Sequence, residues 1–378
     1  MGPELELPLS PSVSVIIIHV RGFDPLTNTL KSVLTSKYDN LQVILVDNGS
    51  TDGSIGLAQQ TFGDKIRVLN TGGNIGFVRA CNYALERVQG DYVVLLNDDT
   101  VVDPDWLTQL VDVAESDLSI VACQPKLRML KSPDFFEYNG ACGGMIDLCG
   151  IPFTRGRLFD KAEEDFGQYD KTVEVFWASG AAMFLRRSAA REVGYLDDLF
   201  YFQMEEIDLS WRLRMRGYKV VSVPSSIVYH LGGGTPVLRT SFLKHRNNLL
   251  MLAKNYSLRS LVVFLPIRLF MDAGYLAYLS FKGKSKFGLD AFASYVWMLR
   301  NMRKVIQTRK ASQNMRLVPD RVIRSSMAKT SVAFQYYVLG RRAFSQLSGL
   351  PLPRSSYVNE GPLIPRRTER FLEVGSVF

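Results

Sequence analysis

The chain has 378 residues, 47% of them hydrophobic and 22% charged, with a net charge of +8. This balance excludes a disordered or fibrous chain, and the length leaves room for roughly two to three domains with full cores. The excess of base suits anionic partners, whether nucleotide phosphates, acidic lipid headgroups or nucleic acid, without choosing among them.

In chain order, Val13 to Ile18 is a nearly continuous β-branched run, as expected of a strand buried on both faces. Leu26 to Leu34 has a helical apolar face, Leu41 to Val46 reads as the next strand, and Ser54 to Phe62 as a helix. Ile66 to Leu69 is a short strand, Gly76 to Val88 a helix, and Tyr92 to Leu96 a third long buried strand. Strands alternating with helices predict a mostly parallel sheet with right-handed crossovers, and ligands then sit beyond the carboxyl ends of the strands.

Trp106 to Ser116 is expected as a helix and Ile120 to Pro125 as a strand. Lys126 to Glu174 is irregular, which suggests hairpins and loops over the sheet. Phe176 to Leu185 is apolar and rich in small residues, and Ser188 to Val193 reads as a helix. Glu205 to Arg216 follows as a helix capped by Gly217, then the strand Val220 to Val223.

From Thr240 the pattern is helical and basic. Leu258 to Phe281 is apolar but interrupted by Arg259, Arg268 and Asp272 and broken at Pro266, so it is expected as a buried or interfacial helix pair rather than a membrane span. The predicted organisation is an arm over 1–11, a catalytic domain over 12–236, a helical region over 237–349 and a poorly ordered tail over 350–378. The four cysteines (Cys81, Cys123, Cys142, Cys149) form no Cys-x-x-Cys pair and are expected as reduced thiols. Met1 to Leu9 carries acids where a signal peptide would be basic and then apolar, so a cytoplasmic protein is expected.

Chemistry concentrates at strand ends and one helix start. Asn97, Asp98 and Asp99 close the run Tyr-Val-Val-Leu-Leu. Adjacent acids there suit Mg²⁺ or Mn²⁺, which takes one or two carboxylates and completes its shell with water and substrate phosphates; a capped turn is the structural alternative. His230 follows an apolar run and precedes three glycines, and is one of only three histidines, so it is a candidate to complete a metal site with Asp99. Glu205, Glu206 and Asp208 open a helix, where acids serve the dipole or supply a general base for a hydroxyl. Asp47, Asn48, Ser50 and Asp52 form a polar loop after a strand, suited to a nucleobase and ribose, with a plain strand-to-helix turn as the alternative. Arg79 is read as meeting an anion or a base edge, with a surface salt bridge as the alternative.

Taken in order, these stretches resemble a family 2 glycosyltransferase of the GT-A fold, in its rhamnosyltransferase-like branch. The resemblance rests on Val13 to Ile18, Val46-Asp47-Asn48-Gly49-Ser50-Thr51-Asp52, Asn74-Ile75-Gly76-Phe77 and Leu95-Leu96-Asn97-Asp98-Asp99. It continues through Ser179-Gly180-Ala181-Ala182-Met183, Glu205-Glu206-Ile207-Asp208-Leu209, Arg212-Leu213-Arg214 and Val228-Tyr229-His230. It implies inverting transfer from a nucleoside-diphosphate sugar. Asp47 would contact the nucleobase, Arg79 the base or phosphates and Asp98 the ribose, with Asn48, Ser50, Asp52 and Asn97 completing the donor site. Asp99 and His230 would hold the divalent ion, and Trp177, Ser179 and Gly180 would face the acceptor.

Glu206 stands at the base position where the family usually has Asp, so Glu205 or Asp208 could share or take the role. His19-Val20-Arg21-Gly22 replaces the family's usual Asn-Tyr-Asn-Gly and brings His19 and Arg21 to the donor pocket.

The expected function is therefore transfer of a sugar, rhamnose first, from a deoxythymidine or uridine diphosphate donor to a lipid-linked or polysaccharide acceptor. The alternatives are a nucleotidyltransferase, whose Gly-rich basic loop after the first strand is sparse here, and an inactive nucleotide- or glycan-binding module. The basic helices could rest on an anionic membrane or form a homodimer, and no nucleic-acid partner is expected because no compact aromatic-interleaved basic motif is present.

Overall fold

The computed structural model describes residues 10–137, 140–232, 240–281, 285–351 and 371–373. The parallel half of the main sheet forms as its apolar runs predict. It contains β1 (Val13–His19), β2 (Leu41–Asp47), β3 (Ile66–Asn70) and β4 (Tyr92–Asn97), in the order β3-β2-β1-β4. Val15, Ile16 and Ile17 of β1 have no exposed surface, consistent with a strand covered on both faces. Helices α1 (Phe23–Leu34), α2 (Ser54–Phe62) and α3 (Phe77–Leu85) are the crossovers. Short β5 (Thr100–Val102) and α4 (Trp106–Ser116) follow.

The second half of the sheet is mixed. Strand β6 (Ile120–Met129) runs four residues beyond the expected end and pairs with the short β7 (Ser132–Phe136). The irregular segment after it is more ordered than its sequence suggests. Short strands β8 (Gly144–Ile146), β9 (Pro152–Thr154), β10 (Arg157–Leu158) and β11 (Lys161–Glu163) make a separate antiparallel sheet. Their two- and three-residue lengths give too little period for sequence to reveal them.

Strand β12 (Val173–Glu174) lies at the edge of the main sheet, and β13 (Ala182–Arg186) inserts antiparallel between β4 and β6. After α5 (Arg187–Glu192) and α6 (Glu205–Met215), β14 (Lys219–His230) pairs parallel with β6. It extends far past Val223 because the pairing resumes after a register shift, and this carries His230 to the same sheet edge as Asp99.

The carboxyl ends of β1, β2, β4 and β14 thus bring His19, Asp47, Asn97 and His230 to one edge. One core under the sheet packs α1 and α4; the other packs α3, α5 and α6 and continues into the C-terminal helices.

Those helices are α7 (Thr240–Asn255), α8 (Leu258–Phe281), α9 (Ser285–Arg300), α10 (Met302–Asn314), α11 (Asp320–Arg324) and α12 (Val332–Tyr337). The helix pair expected around Pro266 is instead one continuous helix, α8, with the proline inside it. The arm expected over 1–11 falls mostly outside the described residues. So does most of the tail expected over 350–378, within which Phe371–Glu373 forms β15 and pairs with β11. All four cysteines are buried free thiols.

Candidate active site

The acidic turn after β4 is held from two sides. His19, with no exposed surface, pairs through Nδ1 with Asp98 Oδ2 at 2.7 Å and sets Nε2 2.8 Å from Ser54 Oγ. Asp52 continues the chain by accepting from the Ser54 backbone N–H at 3.0 Å and from the Gly22 N–H at 2.7 Å. Hydrogen bonds from the Ser54 hydroxyl, then from those two amides, hold the Asp52 carboxyl well below its usual range. His19 thus fixes Asp98 from beneath. Arg21 is exposed, with no ion pair among the described residues.

Asp99 meets His230 directly. Its Oδ1 lies 2.9 Å from Nε2, and the Asn97 amide lies 3.1 Å from the same nitrogen. On the other side Glu137 Oε1 stands 3.2 Å from His230 Nδ1. Burial pushes the His230 pKa down, but the Glu137 and Asp99 carboxylates more than offset it and raise it to about 10.

A carboxylate oxygen and an imidazole nitrogen 2.9 Å apart fit a half-shell for Mg²⁺ or Mn²⁺ once the cation displaces the imidazole proton. Among the described residues no cluster of three or more His, Cys, Asp or Glu forms a complete cage. Glu137 is the residue that sequence reading missed; it sits in the stretch read as irregular, without a motif around it.

Asp47 is committed to shaping its loop. Its Oδ1 accepts from the Ser50 N–H at 2.8 Å and its Oδ2 from Asn70 Nδ2 at 3.0 Å. Asn48 is buried and accepts from the Ile75 N–H at 3.0 Å, while the Ser50 hydroxyl donates to Asp52 at 2.8 Å. The glycines serve this approach. A Cβ on Gly49, at φ +80°, would lie 2.5 Å from the Asn74 nitrogen, so only glycine lets the two loops touch. Arg79 is exposed on α3 and faces Asp198 at 3.5 Å.

Glu205 and Glu206 open α6 behind an unusual approach. Tyr201, Gln203 and Met204 all have φ between 64° and 70°, a left-handed conformation costly for side chains of this size. Three carbonyls of that loop are gathered by one amide: Asn247 Nδ2 donates to Phe200 O at 2.9 Å, Phe202 O at 2.8 Å and Gln203 O at 2.6 Å. Arg246 adds bonds to Leu199 O at 3.0 Å and Phe200 O at 2.8 Å, and burial lowers its pKa to about 10. Helix α7 therefore fixes the loop that aims α6.

The two glutamates each keep a buried carboxylate oxygen without a partner. Burial raises the Glu206 pKa to about 7; burial and the neighbouring Glu206 charge raise Glu205 well above its usual value. A carboxyl that titrates near neutrality with a free oxygen is suited to proton transfer.

Asp208, offered by the sequence as an alternative base, is otherwise occupied. Arg212 Nε and Lys254 Nζ donate to Oδ2 at 2.8 Å each, and Asn255 Nδ2 donates to Oδ1 at 2.8 Å. Burial raises its pKa, and the Lys254 and Arg212 charges outweigh that and hold it low. It ties α6 to α7 and has no oxygen to spare.

The expected acceptor residues divide. Trp177 is buried, its indole N–H donates to Met145 O at 2.8 Å, and it packs against Gly144, so it is an internal strut rather than an acceptor surface. Ser179 is also buried and accepts from the Ala181 N–H at 3.1 Å. Gly180 alone adjoins the glutamates: a Cβ there would stand 3.8 Å from Glu206 Cβ.

The comparisons bear on this geometry. The chain is 31% identical over 208 residues to N-acetylglucosaminyl-diphospho-decaprenol L-rhamnosyltransferase of Mycobacterium tuberculosis, covering 50% of this chain and 66% of the relative, a little under two thirds of its length. It is 27% identical over 228 residues to the O-antigen biosynthesis protein RfbC of Myxococcus xanthus, covering 58% of this chain and 17% of that one. A crystal structure of GalNAc-T7 with UDP, GalNAc and Mn²⁺ superposes with a TM-score of 0.54 at 14% identity, over 78% of this chain and 57% of the other, which establishes the GT-A type of fold. The family description "Glycosyl transferase family 2" matches residues 14–194, the stretch that carries the β1, β2 and β4 strand ends. By that match, which spans just under half of the chain, and by the rhamnosyltransferase relative, the catalytic half of the chain is similar to glycosyl transferase family 2.

Proposed function

We propose that this protein is an inverting, divalent-metal-dependent glycosyltransferase that moves a sugar from a nucleoside-diphosphate donor to a hydroxyl of a lipid-linked or polysaccharide acceptor. The single observation that carries the reading is the link between the Asp99–His230 strand end and the near-neutral Glu206: Asn97 N–H donates to Ala181 O at 3.0 Å, and the preceding Gly180 adjoins Glu206. The mycobacterial relative's name supplies both a sugar, L-rhamnose, and a lipid-linked acceptor, and rhamnose on deoxythymidine or uridine diphosphate is the first donor to test.

In this reading the Asp47–Asp52 loop and Asp98 receive the nucleoside, with Arg79 and Arg21 beside the phosphates. Asp99 and His230 would hold Mg²⁺ or Mn²⁺, which when bound neutralises the diphosphate as it leaves. Glu206 accepts the proton of the acceptor hydroxyl as its oxygen forms the bond to the anomeric carbon. The bond from that carbon to the phosphate oxygen breaks, and its electron pair departs with the nucleoside diphosphate. Glu205, more deeply buried, stays protonated beside it. The proposed division of the chain is a catalytic unit over 12–236 followed by a helical region, and the proposed setting is the inner face of the cytoplasmic membrane.

The test is nucleoside-diphosphate release from a panel of sugar nucleotides with Mn²⁺ or Mg²⁺ and with chelator. Chelator-sensitive release from one donor, abolished in Glu206→Gln, is expected. Tight nucleotide binding without turnover of any donor, across lipid-linked and glycan acceptors, would instead make this a binding module.

A further inference from the structure

Helix α8 wears its amphipathicity inside out. Among its exposed residues are Leu258, Val262, Val263, Ile267, Leu269 and Phe270, the last with 80% of its surface open. The charges Arg268 and Asp272 are buried instead, and Arg259 is the only exposed charge from 258 to 275. A surface helix in water shows the reverse arrangement.

The orientation is locked rather than accidental. Arg268 Nε donates to Asp272 Oδ1 at 2.8 Å and Nη1 donates to Cys149 O at 3.1 Å. His245 Nε2 stands 3.0 Å from Asp272 Oδ2, and the Tyr295 hydroxyl donates to the same oxygen. Rolling the apolar face inward would break a buried ion pair shared by three helices.

Helix α9, packed next to α8, and α10 after it also expose apolar residues and add charge. Leu289, Phe292 and Leu299 of α9 and Met302 and Ile306 of α10 are exposed, beside exposed Arg300, Arg303, Lys304 and Lys310. From 240 to 314 the sequence holds 13 Lys and Arg against 2 acids, Asp272 and Asp290. Asp272 is buried and Asp290 is engaged by the Ser241 hydroxyl, so neither offsets the exposed base. Among the described residues no helix is long and apolar enough to cross a membrane.

We propose that α8, flanked by α9 and α10, is a docking surface for an anionic lipid bilayer, lying in the headgroup boundary rather than spanning it. An apolar face bordered by base is complementary to acyl chains beneath acidic headgroups. A second copy of the chain is the poorer occupant, because a two-fold contact would set each basic border against like charge. Docking does not depend on the transfer chemistry, so this reading and the proposed function fail separately.

The experiment is sedimentation of the full chain with vesicles of phosphatidylcholine alone or mixed equally with phosphatidylglycerol. Binding to the mixed vesicles, weakened by salt, is expected. Val262→Ser/Phe270→Ser should lose about tenfold or more in partitioning to them. Arg303→Glu/Lys304→Glu should lose about tenfold or more on the anionic vesicles with little change on neutral ones. Both variants change exposed residues, so nucleotide binding and melting temperature should match the wild type. A wild type that stays in the supernatant with anionic vesicles would overturn the proposal. So would a wild-type dimer that Val262→Ser/Phe270→Ser converts to a monomer without any vesicle binding.

Discussion

In the proposed mechanism two residues decide the chemistry, and their environments differ in a testable way. Glu206 keeps a free carboxylate oxygen and titrates at about 7, so the rate should climb about tenfold per pH unit below neutrality and level off above it. Glu206→Gln should lose that limb along with about 10²- to 10⁴-fold in kcat. Burial raises Glu205 as well, and the Glu206 charge raises it in turn, so Glu205 holds its proton more tightly once Glu206 ionises. Glu205→Gln should therefore keep the limb near pH 7; a limb displaced by a full unit would show that Glu205 is the group that titrates. Behind the proposed metal pair, Glu137→Gln should weaken Mn²⁺ binding, measured by calorimetry with nucleoside diphosphate present, by about 10- to 100-fold, because the imidazole loses the partner that orients it. The strand-end positions of Asp98, Asp99 and His230 and the helix-start position of the two glutamates are legible in the sequence, because each lies in a recognisable run. Glu137 and the His19–Asp98 pair are not, since each depends on a partner brought from a distant stretch by the sheet.

Among elements, the strands buried on both faces are legible as continuous apolar runs, while the far half of β14 is not, because its register shift interrupts the apolar pattern. Helix α7 was seen only as part of a basic helical region, yet it governs the approach to the glutamates. Asn247 holds three carbonyls of a loop whose residues stand in left-handed backbone, and such conformations persist only when the surroundings over-determine them. Asn247→Ala leaves those carbonyls unsatisfied and lets α6 drift at its start. The expected result is a fall of about 10- to 100-fold in kcat with a donor KM close to wild type, since the donor loops lie at other strand ends. A purely structural role would instead lower the melting temperature and leave the kcat of the folded fraction intact.

For the whole molecule, activity and stability should run in opposite directions with pH. Glu206 has an ordinary carboxyl pKa when unfolded and about 7 when folded, so the native state binds more protons between roughly pH 4.5 and 7. Stability is then greatest below the unfolded value and falls as pH rises through the folded one, by about 3 kcal/mol for this group. Glu205 acts in the same sense, as does Asp147, which burial raises to about 6. Asp272 is the counterweight: burial would raise it, but His245 and Arg268 bring it down to about 2. Its contribution is present above the ordinary Asp value and is lost only as pH falls through about 2, so it leaves the neutral range flat. The melting temperature should accordingly be higher at pH 5.5 than at pH 8, across the same interval in which turnover rises. Glu206→Gln removes the buried ionisation without changing the side chain's size. It should match the wild type in stability near pH 5, exceed it by several degrees at pH 8, and be inactive at both. A variant no more stable than wild type at pH 8 would mean that the Glu206 carboxylate gains a partner on ionising, and the origin assigned to its near-neutral pKa would be wrong.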